Sequence, residues 1–417
     1  MQSARIFNIY LNKNLHEDDK IKKLWTANLK LIGWFLFFGF GITIGVIVCF
    51  SPFQVFKITI DFRADWKEWL AISLFFSVII FLYNKRKNID YNYWERLIHY
   101  LVLDNNQIGK WLFYRARRKH QKDDQPYLLI TGLARSGTTA LLNHLMKINK
   151  FNSTSYKDMP FAMSPGLMSG LMSKSKIKKQ RAHGDDILIN EESVEAFEEI
   201  FFKTLLDESY IKKESLSIHE VNKDLVIDYA VYRSIVKGEK PYYLAKNNNA
   251  ILRLKSLLKQ DENLRIIILF RDPIQHAVSL FDQYNNFSLI QEDNLFVLKY
   301  MNWLCHYEFG LNHKKFDLGK STKLKPDNLN YWLEIWCNYY DYVKEEILPD
   351  NRVKLIDFES LCSQPSQTIK SIGEDFEFQI QSIEIKPFRP IIKDAKFDTE
   401  LKDKAFKIHE KLKSYLT

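Results

Sequence analysis

YLLITGLARSGTTALLNHL, from Tyr127 to Leu145, opens on five residues that are all apolar or β-branched, Tyr127 to Thr131. A run of that length and type predicts a buried strand. A Gly/Ser/Thr turn follows, and Ala140 to Lys147 then returns to helical spacing. Gly132 and Gly137 frame a loop that feeds directly into that helix. Such a loop turns successive backbone N–H groups toward one point, and the helix start adds a partial positive charge. The product is a cradle for an anion. Ser136, Thr138 and Thr139 supply hydroxyl donors, and Arg135 supplies a charged fork. The loop nearly fits the nucleoside-triphosphatase pattern G-x4-G-K-[ST], but Thr138 stands where the lysine belongs. That lysine grips the outer phosphates, so its loss argues against hydrolysis of ATP or GTP.

Two further short apolar runs, Leu264–Phe270 and Arg352–Phe358, read as buried strands separated by long helical stretches. The spacing predicts an α/β fold, a P-loop-like parallel sheet flanked by helices. The Gly- and Lys-containing connector Glu308–Lys325 is expected to be a mobile loop. The first of these runs continues as Arg271-Asp-Pro, with Ser279 eight residues beyond the arginine. Arg271 can clamp a phosphate bidentately, and Pro273 suits the first turn of a helix.

The loop Arg135-Ser136-Gly137-Thr138-Thr139 resembles the [KR]-[SA]-G-T-T phosphosulfate loop of the sulfotransferases that use 3′-phosphoadenosine-5′-phosphosulfate (PAPS). The Arg271/Ser279 pair resembles that family's site for the 3′-phosphate. Similar stretches run from Pro126 to Ile372, among them RAHGDDILINEESVEAFEEIF, YLAKNNNAILRL and FESLCSQP. The resemblance implies in-line attack of an acceptor oxygen on sulfur, with the bisphosphate leaving. It implies PAPS as co-substrate and no metal. Cofactor-binding residues would be Arg135, Ser136, Gly137, Thr138, Thr139, Arg271 and Ser279. Arg135 and Lys246 would stabilise charge on the bridging oxygen. Lys246 lies in YLAKNNN, similar to the family's K-T-H segment, whose His is the base in the cytosolic branch. Asn248 holds that position here and takes no proton at neutral pH. His183 is the first alternative, because imidazole titrates near pH 7. Glu195 or Glu198 follows, if burial raises the carboxyl. His306 and Glu308 in CHYEFG stand further back, as residues that gate or contact the acceptor.

The part before Pro126 is of another kind. Leu31–Phe56 carries no charge, and Leu31–Phe50 alone is long enough to cross a bilayer of about 30 Å. Trp69–Tyr83 is a shorter apolar run. The expected layout is an amphipathic segment over 1–30, a two-helix transmembrane hairpin over 31–84, a linker helix over 85–125 (Tyr91–Lys119 helical) and a sulfotransferase domain over 126–417. Arg5, Lys13, Lys20, Lys22, Lys23 and Lys30 precede the hairpin, and Lys85, Arg86 and Lys87 follow it. The positive-inside rule then places both ends in the cytoplasm, at an inner or plasma membrane. A net charge of +9 favours anionic partners. The basic residues are dispersed and form no recognised nucleic-acid module, so no nucleic-acid partner is expected. Cys49, Cys305, Cys337 and Cys362 have neither disulfide-framework nor zinc spacing. The acceptor is a hydroxyl, and an anchor beside the site points to a lipid or glycan. Two other readings stay open: a magnesium-dependent P-loop kinase or NTPase, with Asp228 in LVIDYA, read as an apolar strand ending in Asp, as metal acid, and a non-catalytic membrane scaffold.

Overall fold

The computed structural model describes residues 93–167, 179–180, 188–189, 197–380, 383–389 and 392–416. The apolar runs Leu31–Phe50 and Trp69–Tyr83 lie outside these, as do His183 and Glu195. Among the described residues no helix is long and apolar enough to cross a membrane. The chain divides into two compact units, Met1–Leu101 and Val102–Thr417, and only 93–101 of the first is described.

The helix expected over Tyr91–Lys119 is two helices, α1 (Tyr93–Leu103) and α2 (Asn106–Arg117). Asn105 breaks it. Its backbone is extended at φ −124°, and its side-chain oxygen accepts from the amides of Gln107 (3.0 Å) and Ile108 (3.4 Å). An N-cap of this kind starts a new helix by filling orphan donors of the first turn.

The strand β1 (Tyr127–Gly132) is buried along its whole length and lies at the centre of a five-stranded sheet. Helix α3 (Thr138–Met146) follows it, then the short strand β2 (Phe151–Asn152). A small antiparallel ladder, β3 (Lys179–Gln180) with β4 (Leu188–Ile189), stands apart from the sheet. Next come α4 (Glu198–Leu205), β5 (Ser215–Ser217), α5 (Lys223–Lys237) and β6 (Tyr242–Lys246). Helix α6 (Leu254–Gln260) leads into β7 (Leu264–Phe270), and α7 (Pro273–Asp293) and α8 (Leu295–Trp303) follow. The chain closes with β8 (Lys315–Asp317), α9 (Leu329–Tyr342), β9 (Val353–Asp357), α10 (Phe358–Ser363), α11 (Pro365–Asp375) and α12 (Thr399–Lys413).

The sheet order is β2-β6-β1-β7-β9, and every pairing is parallel. The α/β expectation is met: the central strands β1 and β7 are short buried runs, and the crossovers are helical. Leu128, Ile130, Leu244, Ile267 and Leu269 join Leu141, Leu142 and Leu145 of α3 and Ile369 and Ile372 of α11 in one apolar layer. Each such side chain, fully buried, contributes roughly 1.5–3 kcal/mol relative to exposure. β1 sits between β6 and β7, with Ile130 opposite Lys246 and Gly132 opposite Leu269. The carboxyl ends of three strands therefore open at one edge, which is where ligands bind in parallel sheets.

Two sequence expectations need correction. LVIDYA is part of helix α5 rather than a strand, so Asp228 is on no strand end. It accepts from Arg117 Nε at 2.6 Å and from the Tyr114 hydroxyl at 3.3 Å, a surface ion pair between two helices. The connector Glu308–Lys325, expected to be a mobile loop, contains β8, which pairs in parallel with β5 through Ser215↔Lys315 and Ser217↔Asp317.

Candidate active site

The loop after β1 closes in the geometry the glycines predict. Gly132 (φ +155°) and Gly137 (φ +99°) both have positive φ. A side chain at Gly132 would meet the Ser136 oxygen at 2.6 Å and the Leu269 carbonyl at 2.9 Å. One at Gly137 would strike the Phe358 ring at 2.3 Å. Arg135 between them is left-handed at φ +70°. The Ser136 amide closes the turn onto the Leu133 carbonyl at 3.1 Å. Gly137 caps α3, so the amides of its first turn are left facing out of the helix. The Ser136 hydroxyl is fully buried and has no hydrogen-bond partner. A buried donor of this kind fits a bound phosphate oxygen.

The second motif meets the first. Asp272 N-caps α7, its carboxylate accepting the Gln275 amide at 2.9 Å, and Pro273 fills the first turn as expected. This fixes Arg271 at the end of β7 and Ser279 on α7. Arg135 Nε donates to the Ser279 hydroxyl at 3.2 Å across a sequence separation of 144. Arg271 is only 8% exposed and its guanidinium lies 4.9 Å over the Phe358 ring. Burial, and then the neighbouring Arg135 charge, lower its pKa, opposed by Glu359. An arginine disfavoured as a cation by two such effects is a strong anion receptor.

Three residues of this cluster carry no obvious signal in the sequence. Phe358 is the floor shared by Gly137 and Arg271. His276 is fully buried, and its Nε2 donates to the Ala134 carbonyl at 2.7 Å, propping the loop from below. Burial drives this imidazole down to about 3, against the Ala134 bond and helped by Arg271 and Arg135, so it stays neutral. Glu359 is pushed up to about 7, first by burial and then by Asp357. A carboxyl half-protonated near neutrality repels a phosphate less than an ionised one.

Lys246 ends β6 and is buried, and the Asn247 amide donates to the Ile130 carbonyl at 2.9 Å. This bond and the β6–β1 pairing hold the Lys246–Asn248 stretch beside the phosphate loop. Beneath it is a buried polar network. Asn247 Nδ2 donates to Glu198 at 3.0 Å and to Glu199 at 2.8 Å. Arg253 grips Glu199 with two bonds of 2.7 and 2.6 Å. Glu198 also accepts from the Tyr229 hydroxyl at 2.7 Å and the Tyr243 hydroxyl at 3.2 Å. Burial raises the Glu198 carboxyl, against Tyr229, Asn247 and Arg253. Burial is the largest single influence on Glu199 and acts to raise it, but the Arg253 charge and the hydrogen bonds from Arg253, Tyr210 and Asn247 together outweigh it and hold that carboxyl low. Glu198 is thus a fully engaged strut for Asn247, a role its place in the sequence does not reveal. Asn248, where the resembled family has its base, donates through Nδ2 to Glu308 at 3.0 Å.

The structure brings together Arg135, Ser136, Gly137, Thr138, Thr139, Arg271 and Ser279 at one sheet edge, with Lys246 one strand away. A family described as the sulfotransferase domain matches residues 125–415. No curated protein matches the chain. Solved structures similar to it include sulfotransferase STF1 of Mycobacterium tuberculosis, at 12% identity and TM-score 0.40, covering 77% of this chain and 85% of that one. Sulfotransferase STF9 of Mycobacterium avium matches at 12% identity and TM-score 0.42, covering 80% and 84%. A sulfotransferase of Alicyclobacillus acidocaldarius matches at 12% and 0.34, covering 70% and 94%. The family match spans the sheet and both anion motifs, and on it the chain belongs to the sulfotransferase domain family and is a PAPS-dependent sulfotransferase.

Proposed function

We propose that this chain binds PAPS with its 5′-phosphosulfate in the Arg135–Thr139 loop and its 3′-phosphate on Arg271 and Ser279. The sulfuryl group passes to a hydroxyl of a membrane lipid or glycan. The observation that carries the donor reading is the 3.2 Å bond from Arg135 to Ser279, which makes two anion sites into one. Lys246, beside the loop, and Arg135 would meet the charge that develops on the bridging oxygen. The displacement of Asp228 onto a helix surface removes the metal acid that a kinase reading had available.

The donor reading is tested by calorimetric titration of the detergent-purified protein in EDTA. Adenosine 3′,5′-bisphosphate should bind without metal, and Arg271→Ala should lose at least tenfold in affinity, about 1.4 kcal/mol. Binding of ATP only on addition of magnesium, with Arg271→Ala indifferent, would overturn it.

The anchor rests on the charge-free run Leu31–Phe56, and the cytoplasmic placement of the catalytic part at an inner or plasma membrane rests on the Lys/Arg distribution around it. Cells with and without the gene, grown in labelled sulfate, would be fractionated and their lipids extracted. The protein should sediment with membranes and resist carbonate, and one labelled lipid or lipid-linked glycan should vanish with the gene. A carbonate-soluble protein, or an unchanged labelled profile, would sink the anchor or the acceptor respectively.

A further inference from the structure

Asn248 occupies the position at which the resembled family carries its base, and it takes no proton itself. Its amide nitrogen donates to the Glu308 carboxylate at 3.0 Å, and its amide oxygen is buried with no hydrogen-bond partner. Both groups stand at the carboxyl end of β6, two residues beyond Lys246, which lies opposite Ile130 of the phosphate-loop strand. Glu308 comes from the turn after α8, fixed by the left-handed Cys305 (φ +56°) and by the Lys314 amide donating to the Tyr307 carbonyl at 2.8 Å. His313 braces the same turn, bonding the Tyr307 carbonyl at 3.2 Å and the Tyr331 hydroxyl at 2.7 Å. Unlike Glu198, which is 2% exposed and engaged on both oxygens, Glu308 is half-buried.

We propose that Glu308 is the general base of the transfer, reaching the acceptor hydroxyl from the position that Asn248 marks. This rests on the donor reading above. The acceptor O–H proton passes to a Glu308 carboxylate oxygen as the acceptor oxygen bonds to sulfur. The sulfur–oxygen bond to the bisphosphate breaks, and its electron pair leaves on the 5′-phosphate oxygen. The unpartnered Asn248 oxygen can accept from a second polar hydrogen of the acceptor molecule, such as a neighbouring hydroxyl, and so orient it. The surroundings of the carboxyl suit it to proton transfer. Burial raises it, its own backbone amide, Asn248 and the Lys246 charge lower it, and Glu199 raises it again. A base must be ionised at working pH yet strong enough to take a proton. His313 on the same turn is driven down to about 4 by burial, which makes it a weak base, and both its ring nitrogens are already engaged, so it does not compete.

The test compares wild type with Glu308→Gln in two measurements. The first is affinity for adenosine 3′,5′-bisphosphate by calorimetry, which should agree within about twofold. The second is PAPS turnover with water, phenol and 4-nitrophenol. General-base catalysis is worth about 10²–10⁴, so turnover with water and phenol should fall by about 10² or more, and the acidic limb of the pH profile should disappear. Turnover with 4-nitrophenol, which ionises unaided near neutral pH, should fall far less. Asn248→His on the Glu308→Gln background should recover at least tenfold with phenol. Equal loss with all acceptors, loss of bisphosphate affinity, or an unchanged pH profile would each overturn the assignment. A wild type that binds no bisphosphate would instead sink the donor reading.

Discussion

At the scale of single residues, the site depends on groups whose charge is set by what they touch. His276 is the clearest. Its folded pKa, about 3, lies well below the ordinary value near 6.5. Between those two values the unfolded chain binds a proton that the folded chain refuses. Stability from this group is therefore present above about pH 6.5 and is lost as pH falls toward 3. The expected slope is up to about 1.4 kcal/mol per pH unit. His276→Gln keeps a donor for the Ala134 carbonyl and cannot titrate. Urea unfolding at pH 4.5, 5.5 and 6.5 should show the wild type losing stability faster than the variant. Parallel losses would mean that His276 is protonated in the folded protein.

At the scale of elements, the junction of β1 and α3 carries the donor site, and one glycine decides it. An alanine at Gly137 would have to hold φ +99° and would press its Cβ into Phe358. The left-handed backbone alone costs roughly 1–2 kcal/mol. Moving Phe358 also moves the floor under Arg271, so damage spreads from one phosphate site to the other. Gly137→Ala should lower bisphosphate affinity tenfold or more by calorimetry, and Phe358→Ala added to it should restore only part. Unchanged affinity would mean that the loop re-forms around the methyl group. The strands of this junction were legible because they are buried on both faces, and burial writes itself as uninterrupted apolar runs: Leu264–Phe270 was read to the residue. The break at Asn105 was not, since an Asn inside an amphipathic pattern is as compatible with a solvated face as with a cap. LVIDYA misled for the same reason, its apolar residues fitting a strand period over too short a window.

At the scale of the whole molecule, the site was legible where it is local and hidden where it is not. Arg135–Thr139 and Arg271/Ser279 are contiguous motifs with fixed spacings. Phe358, His276, Glu359 and the Glu198–Asn247–Glu199–Arg253 network act through contacts between segments far apart in sequence, and no spacing announces them. Glu198 illustrates the difference: the sequence offered it as an acid on a helix, and packing against Tyr229 and Tyr243 turned it into a strut. The assignment of the base moves likewise from local pattern to the contact between Asn248 and Glu308.

The helix Thr399–Lys413 packs on α9 and α7, and its His409 ring stacks edge-on at 5.6 Å against Phe270, the residue before Arg271. On a ribosome this helix emerges after every other described element of the domain. Until residue 413 is free, the strand that presents Arg271 lacks the neighbour that seals its last side chain. The donor pocket of the nascent enzyme thus stays unfinished until this helix has emerged, and the helix acts as its closing piece.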